Sequence, residues 1–386
     1  MTMLTTATQI QARPAGRLTH ILDAADAAQT PSLLIDTTAV AANYCRISAA
    51  FAGAHVYYAV KANPHSRIVD TLARLGCGMD VASGAELRMA LDAEISPDRI
   101  CFSAPFKRGA DIAAAHARGI GLYVADSPGE VENIARRAPG ARILIRMAVR
   151  GGRALTPMGK KFGANAGDVV ALFRLAVERG LEPYGMHFHV GSQCLDPLAW
   201  SHAIAECAPI WHAAREAGMD LRLIDIGGGF PVRYDSDVPE IEEIAAPTMA
   251  AARVWLGPEV RIGLEPGRWI TCDAAVLVTE VIGVAERGAD RWTYLDAGVY
   301  NGLIDTVEGV VYPLYTTDEL QSGSSRPRLR QTLAGPSCDG NDVMYRGIEA
   351  PEVRIGDRLL FFQAGAYTTS FERFNGMAFP EVVEVR

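Results

Sequence analysis

Short apolar runs rich in β-branched residues recur along the chain, and stretches with helical periodicity separate them. The first five begin near Val56 (VYYAV), Gly78 (GMDVAS), Arg99 (RICFS), Gly121 (GLYVAD) and Arg142 (RILIRMAV), at spacings of 22, 21, 22 and 21 residues. Each interval holds one strand, one helix and two short loops. Three more follow at wider spacing: PYGMHFHVGS from Pro183, LRLIDIGGGF from Leu221 and VRIGLEPGR from Val260. Between them, GAELRMALDAE (84–94) and GDVVALFRLAVERG (167–180) place apolar residues at i, i+3, i+4 and i+7. In the second, Val169, Leu172, Phe173 and Ala176 share a face, and Gly180 stands where a C-cap belongs. Eight strand–helix units predict an α/β fold, a closed parallel (β/α)8 barrel of the TIM type. The competing architecture is an open, doubly wound sheet. No GxGxxG opens a helix early in the chain, which weakens that alternative.

After Arg268 the texture changes. AAVLVTEVIGVAE, RWTYLDAG, RLRQTLAGPSCDG and DRLLFFQAGAYT are strand-like and separated by turn residues, which predicts an antiparallel β-domain. The expected division is a barrel over residues 37–272 and a β-domain from residues 1–36 plus 273–386. TTDELQSGSSRPR (316–328) is polar and rich in small residues, so an exposed, mobile loop is expected there. A length of 386 residues agrees with two domains. The 37 basic and 45 acidic residues leave a net charge of −8, which gives no generic attraction for nucleic acid or an anionic membrane. No apolar run approaches the roughly 18–20 residues of a membrane span, and MTMLTTATQIQARPAGRL does not read as a secretory signal. The seven cysteines are scattered and form no CxxC pair. That argues against a disulfide framework or structural zinc and predicts a reducing, cytoplasmic setting.

In a barrel of this type, chemistry gathers where the strands end. Strand one ends in YYAVKAN, and Lys61 follows an apolar run. A desolvated lysine sheds its proton easily and attacks a carbonyl to form an imine; taken alone, Lys61 is more simply a surface lysine. Strand two supplies Asp80 and Ser83, and strand five Arg146. His187 and His189 alternate on one face of strand six, followed by Ser192. No carboxylate or cysteine set accompanies the histidines at ligand spacing, so no metal site is expected. One imidazole reads as a ring-stacking or acid/base group and the other as core. Gly227, Gly228 and Gly229 let the backbone approach an anion. Glu265 and Arg268 form either a local salt bridge or part of a site. An amine, a flat imidazole, a glycine cradle with arginine, and a carboxylate together suit pyridoxal 5'-phosphate.

YAVKANP (58–64), GMDVASGAEL (78–87), KFG (161–163), HFHVGSQ (187–193), DIGGGFP (225–231), EPGR (265–268), GPSCDGND (335–342) and GAYT (365–368) occur in this order. By these motifs the chain resembles the pyridoxal-phosphate-dependent ornithine, lysine and diaminopimelate decarboxylases. That group has an alanine-racemase-like fold (fold type III, group IV). The resemblance implies that Lys61 carries the cofactor, His189 stacks on its ring and Glu265 pairs with the ring nitrogen. By the same resemblance Ser192, Gly228, Gly229, Gly267, Arg268 and Tyr367 hold the phosphate, while Asp80 and Arg146 order the lysine and the ring edge. Cys338, the expected proton donor, and Asp339 would enter the partner's site in a homodimer.

The resemblance favours the ornithine and lysine enzymes. The motif reads Cys338-Asp339-Gly340, and GVYNGLIDTVEG (298–309) offers Asp305 and Glu308 but no arginine. Acidic groups suit a distal ammonium, so L-ornithine or L-lysine is the expected substrate. Diaminopimelate, a siderophore or polyamine precursor, racemisation and a non-catalytic regulatory role are the alternatives.

Overall fold

The computed structural model describes residues 15–158, 161–369 and 377–385. The chain divides into two compact units. One comprises Ala41–Pro231 and Val238–Trp269; the other comprises the chain up to Val40, Val232–Asp237 and Ile270–Arg386.

In the first unit the eight apolar runs close into a parallel barrel. Its strands are His55–Ala59, Gly78–Asp80, Ile100–Phe102, Leu122–Ala125, Arg142–Arg146, Glu182–His187, Leu223–Asp225 and Arg261–Leu264. Residues on one strand alternate between the lumen and the surrounding helices. Tyr57, Cys101, Leu122, Val124, Leu144, Tyr184 and Leu223 pack as one buried cluster. The helix Ala166–Glu178 buries Val169, Leu172, Phe173 and Ala176, the face that the periodicity predicts. Ser83 is a helix cap: its hydroxyl accepts from the Glu86 N–H at the start of Gly84–Asp92.

The second unit is built on a sheet around the long strand Ala275–Arg287. Ser32–Asp36, Asp290–Leu295 and Arg358–Phe362 pair with it antiparallel. The sheet is nevertheless mixed, not antiparallel throughout. Asp290–Leu295 runs parallel to Arg328–Ala334, and Ser32–Asp36 parallel to Glu381–Val385. Apolar alternation records which face of a strand is buried but not the direction of its neighbour, so this correction lay outside the pattern. One face packs against the helix Ala15–Ala27 through Ile21, Leu22, Leu34, Val276, Val278, Leu360 and Phe362.

The polar stretch 316–328 is also not the loop expected from its composition. Thr317–Ser322 is a helix with a capping box: the Thr316 hydroxyl accepts from the Glu319 N–H, and the Glu319 carboxylate accepts from the Thr316 N–H. Glu319 is buried because it satisfies this cap, and Leu320 joins the core. Arg326 then pairs with Asp318 and Asp357. Among the described residues, no helix is long and apolar enough to cross a membrane.

Candidate active site

The first barrel strand runs into a 3-10 turn, Val60–Ala62, which lifts Lys61 out of the sheet. Lys61 Nζ lies 3.1 Å from Asp80 Oδ2. Asp80 sits at the end of the neighbouring strand in register with Ala59, and the Ser103 hydroxyl donates to its other oxygen. Burial and the charge of Glu265 raise the Asp80 pKa; Lys61 and Ser103 oppose them. The Lys61 side chain is 45% exposed while Asp80 is 1% exposed. The turn carries the amine to the barrel mouth, where it is part-exposed and ion-paired with Asp80.

Arg146, His187 and Asp225 occupy equivalent register positions on adjacent strands and form one layer. Glu265 follows the next strand, Arg261–Leu264. Its Oε2 lies 3.1 Å from His187 Nε2, and both side chains are buried. Burial alone would raise the Glu265 pKa. His187, by charge and hydrogen bond, and then Lys61 and His189 outweigh it and hold the carboxyl below the ordinary range. An ionised carboxylate only accepts, so His187 Nε2 carries the proton in this pair. Glu265 Oε1 is buried and has no hydrogen-bond partner. Asp225 is pushed the other way: burial and the charge of Glu265 raise its pKa well above the usual range, against a Gly227 N–H that donates to it at 2.9 Å. Environment has thus pushed the two adjacent carboxyls in opposite directions, Glu265 down and Asp225 up.

His189 reads as the flat ring group. Its Nδ1 accepts from the Gly191 N–H at 3.0 Å, which places the proton of the neutral ring on Nε2. Burial, then Arg146 and Lys61, push its pKa down to about 3, so the imidazole is uncharged near neutrality. The glycine turn lies directly beside it. A Cβ on Gly229 would fall 2.1 Å from the Gly191 carbonyl oxygen and 3.4 Å from His189 Cε1; on Gly228 it would fall 2.5 Å from the Glu265 carbonyl oxygen. Only backbone fits there. Trp200 holds the turn from behind, donating from Nε1 to the Gly228 carbonyl at 3.3 Å and stacking on Phe230 at 4.9 Å. The Ala59 N–H donates to the Pro266 carbonyl (3.1 Å), and a Cβ on Gly267 would meet Ala62 Cβ at 2.8 Å, so EPGR lies against the Lys61 turn. Arg268 is buried. Arg146, also buried, sits over the Phe162 ring of KFG at 5.3 Å. Ser192 lies on a short strand, Ser192–Cys194, paired with Ala154–Thr156.

The remaining candidates belong to the second unit. Asp305 is buried and Glu308 exposed on the 3-10 helix Ile304–Glu308. Cys338 is exposed, and Asp339 Oδ1 accepts from the Asn341 N–H at 2.7 Å. The loop carrying them is organised by buried Asp342, which accepts from the Val299 and Ser337 N–H groups at 2.8 and 3.0 Å. Tyr367 takes a left-handed φ of 60°. Sequence reasoning missed Asp342, Ser103, Trp200 and the buried Asp225 beside His187. An aspartate two residues before a glycine turn was a signal for Asp225; Trp200 left none. The barrel also brings Asp225 and Glu265 to His187, with ligand-capable atoms within 4.8 Å of one another, supplying the carboxylates that its sequence neighbourhood lacks.

These donors fit pyridoxal phosphate. An amine faces the barrel mouth, an ionised buried carboxylate keeps one oxygen for a ring N–H⁺, and a backbone cradle excludes every Cβ. A barrel carrying this set at its strand ends defines a pyridoxal-phosphate enzyme. Residues 37–272 match the family described as "Pyridoxal-dependent decarboxylase, pyridoxal binding domain", and the chain belongs to that family. It is 36% identical to the lysine/ornithine decarboxylase of Selenomonas ruminantium, over 90% of this chain and 87% of that one. It is 30% identical to the ornithine decarboxylase of Rattus norvegicus, over 85% and 75% respectively. The crystal structure of the lysine/ornithine decarboxylase from Vibrio vulnificus complexed with cadaverine superposes with a TM-score of 0.87 at 30% identity, covering 97% of each chain.

Proposed function

We propose that the protein decarboxylates a basic L-amino acid, L-ornithine or L-lysine, to the corresponding diamine and carbon dioxide. The observation that carries this reading is the Glu265 carboxylate, ionised by its pairing with His187, with its second oxygen unpartnered in the barrel that also presents Lys61. Bound pyridoxal phosphate supplies an electron sink for the pair released when a substrate carboxylate leaves as carbon dioxide. Lys61 would hold its aldehyde carbon, and Glu265 Oε1 would accept the ring N–H⁺ and keep the nitrogen charged. Ser192, Gly228, Gly229, Gly267, Arg268 and Tyr367 would take the phosphate, and neutral His189 would offer its face to the ring. Asp80 orients the Lys61 amine, and Arg146 adds positive charge at the ring edge.

The overall reaction consumes one proton at the α-carbon, and Cys338 Sγ would deliver it. Cys338 and Asp339 would act in the site of a second copy, in a homodimer; the exposure of Cys338 in the single chain supports that assignment. Asp305, Glu308 and Asp339 are the candidates for reading the distal ammonium. Neither nucleic acid nor membrane is a partner in this reading, and a cytoplasmic location agrees with seven cysteines that form no disulfide.

The names of the relatives support lysine and ornithine over the alternatives. The test is product identification after incubating cofactor-loaded protein with ornithine, lysine and diaminopimelate. Putrescine or cadaverine is expected; carbon dioxide from diaminopimelate alone, or an inverted amino acid with its carboxylate retained, would overturn the proposal.

A further inference from the structure

The opposite end of the barrel carries a second, chemically different cavity. It has a volume of about 500 Å³ and is lined at the starts of the strands by His55, Gly78, Arg99, Leu122, Arg142, Tyr184, Leu223 and Arg261. Seven of the eight barrel strands thus contribute a residue at or next to their first position, and Glu182–His187 contributes Tyr184 at its third. In this architecture the strand starts normally serve stability alone, and a cavity of this size is in the range of small-molecule sites.

Three guanidinium groups share the cavity, and none forms an ion pair among the described residues. Two are held in place by one tyrosine: Arg261 Nη1 donates to the Tyr184 hydroxyl at 3.2 Å, and Arg142 lies 4.9 Å over the Tyr184 ring. The third, Arg99, has its Nη2 shielded from solvent with no hydrogen-bond partner, close beside Gly76 on the cavity wall. A guanidinium N–H withdrawn from water without an acceptor is costly, and an oxyanion would satisfy it. Asp98 is the sole carboxylate in the lining, which leaves two positive charges in excess. His55 adds none near neutrality, because burial and then Arg261 lower its pKa. The walls between the charges are Tyr44, Tyr57 and Tyr184, over a floor of Leu122 and Leu223.

We propose that this strand-start mouth is a binding site for a dianionic phosphate group, free or carried as a monoester by a small molecule. The paired charge matches Arg99, Arg142 and Arg261 against Asp98, and the tyrosine walls leave room for an organic moiety behind the phosphate. This site is separate from the cofactor's phosphate cradle at the strand ends, and it does not depend on which amino acid the enzyme decarboxylates.

The test is calorimetric titration of the cofactor-loaded protein, so that the strand-end cradle is already filled. Inorganic phosphate and phenyl phosphate are the probes, at about pH 8, where a phosphate monoester carries two charges, and chloride at matched ionic strength is the blank. Saturable binding is expected. Arg99→Gln and Arg261→Gln should each weaken it about tenfold or more, and Arg261→Lys should recover part of the loss. Tighter binding of phenyl phosphate would assign the site to a monoester, and equal binding to free phosphate. Absence of saturable binding to wild-type protein overturns the proposal, as does unchanged affinity in an Arg99→Gln/Arg261→Gln protein that melts normally. Because the readout is binding, failure of the decarboxylase reading would leave this result standing, and the reverse.

Discussion

Replacing Gly229 with alanine separates the close-packed cradle from the general cost of disturbing a glycine. Gly229 has φ of +92°, and an added Cβ would lie 2.1 Å from the Gly191 carbonyl oxygen. The left-handed backbone costs an alanine about 1–2 kcal/mol, and forcing two backbone segments apart adds about 1–3 kcal/mol. The barrel should therefore lose roughly 2–5 kcal/mol, and its melting temperature should fall by about 5–15 °C. Two controls divide the total. Gly218 has φ of +88° but nothing within 4 Å of an added Cβ, so Gly218→Ala should cost only the backbone term, about 1–2 kcal/mol. Gly228 does not have a left-handed φ, yet its Cβ would fall 2.5 Å from the Glu265 carbonyl oxygen, so Gly228→Ala should report the contact alone. The assays are thermal melting and the cofactor retained after dialysis, read by absorbance. Gly229→Ala and Gly228→Ala should hold the cofactor at least about tenfold more weakly, while Gly218→Ala should hold it as wild type does. If Gly229→Ala melts with Gly218→Ala and retains its cofactor normally, the close approach of the turn to Gly191 is not the constraint argued here.

Glu265→Gln keeps a partner for His187 but removes the charge. It should lower decarboxylation roughly 100–1,000-fold without unfolding the barrel, as steady-state kinetics beside a melting curve would check. Lys107 Nζ lies 2.8 Å from Glu130 Oε1, with both side chains buried. Lys107→Met should cost about 3–5 kcal/mol in urea unfolding by stranding the Glu130 charge, whereas Lys107→Met/Glu130→Leu should recover much of it. His189 titrates near 3 when folded against an ordinary value of 6.5. The unfolded chain therefore binds more protons between those values, and stability should fall as the pH drops from about 6.5 toward about 3. In His189→Phe protein that slope should be smaller; an unchanged slope between about pH 7 and pH 5 would assign it to other groups.

The barrel was legible because its evidence is local and repeated. Runs from Val56 to Val260 recur at a strand–helix interval, and each must bury an apolar face. Lys61, His189, Glu265 and the glycine turn were legible because each stands where a strand ends, which is where a barrel of this kind exposes function. Polar residues misled where tertiary partners reversed their meaning. Glu319 looked like part of a solvated loop, but a capping box buries it. Lys61 reads in isolation as a surface lysine, and only the fold sets its part-exposed amine beside buried Asp80.

By itself, the order of residues determined the strand count, the helical faces and the set of chemical groups at the strand ends, because periodicity and turn chemistry act over a few neighbouring residues. Only the closed barrel decided what those groups are. Register places His187 beside Asp225, and closure brings Glu265 to His187. The His187 partner lowers the Glu265 carboxyl against its burial, while burial and the Glu265 charge raise that of Asp225. The same closure gathered Arg99, Arg142 and Arg261 around one cavity from strands that are far apart in sequence. Charge and burial are properties of what surrounds an atom in space, and a chain cannot express them until its distant segments meet.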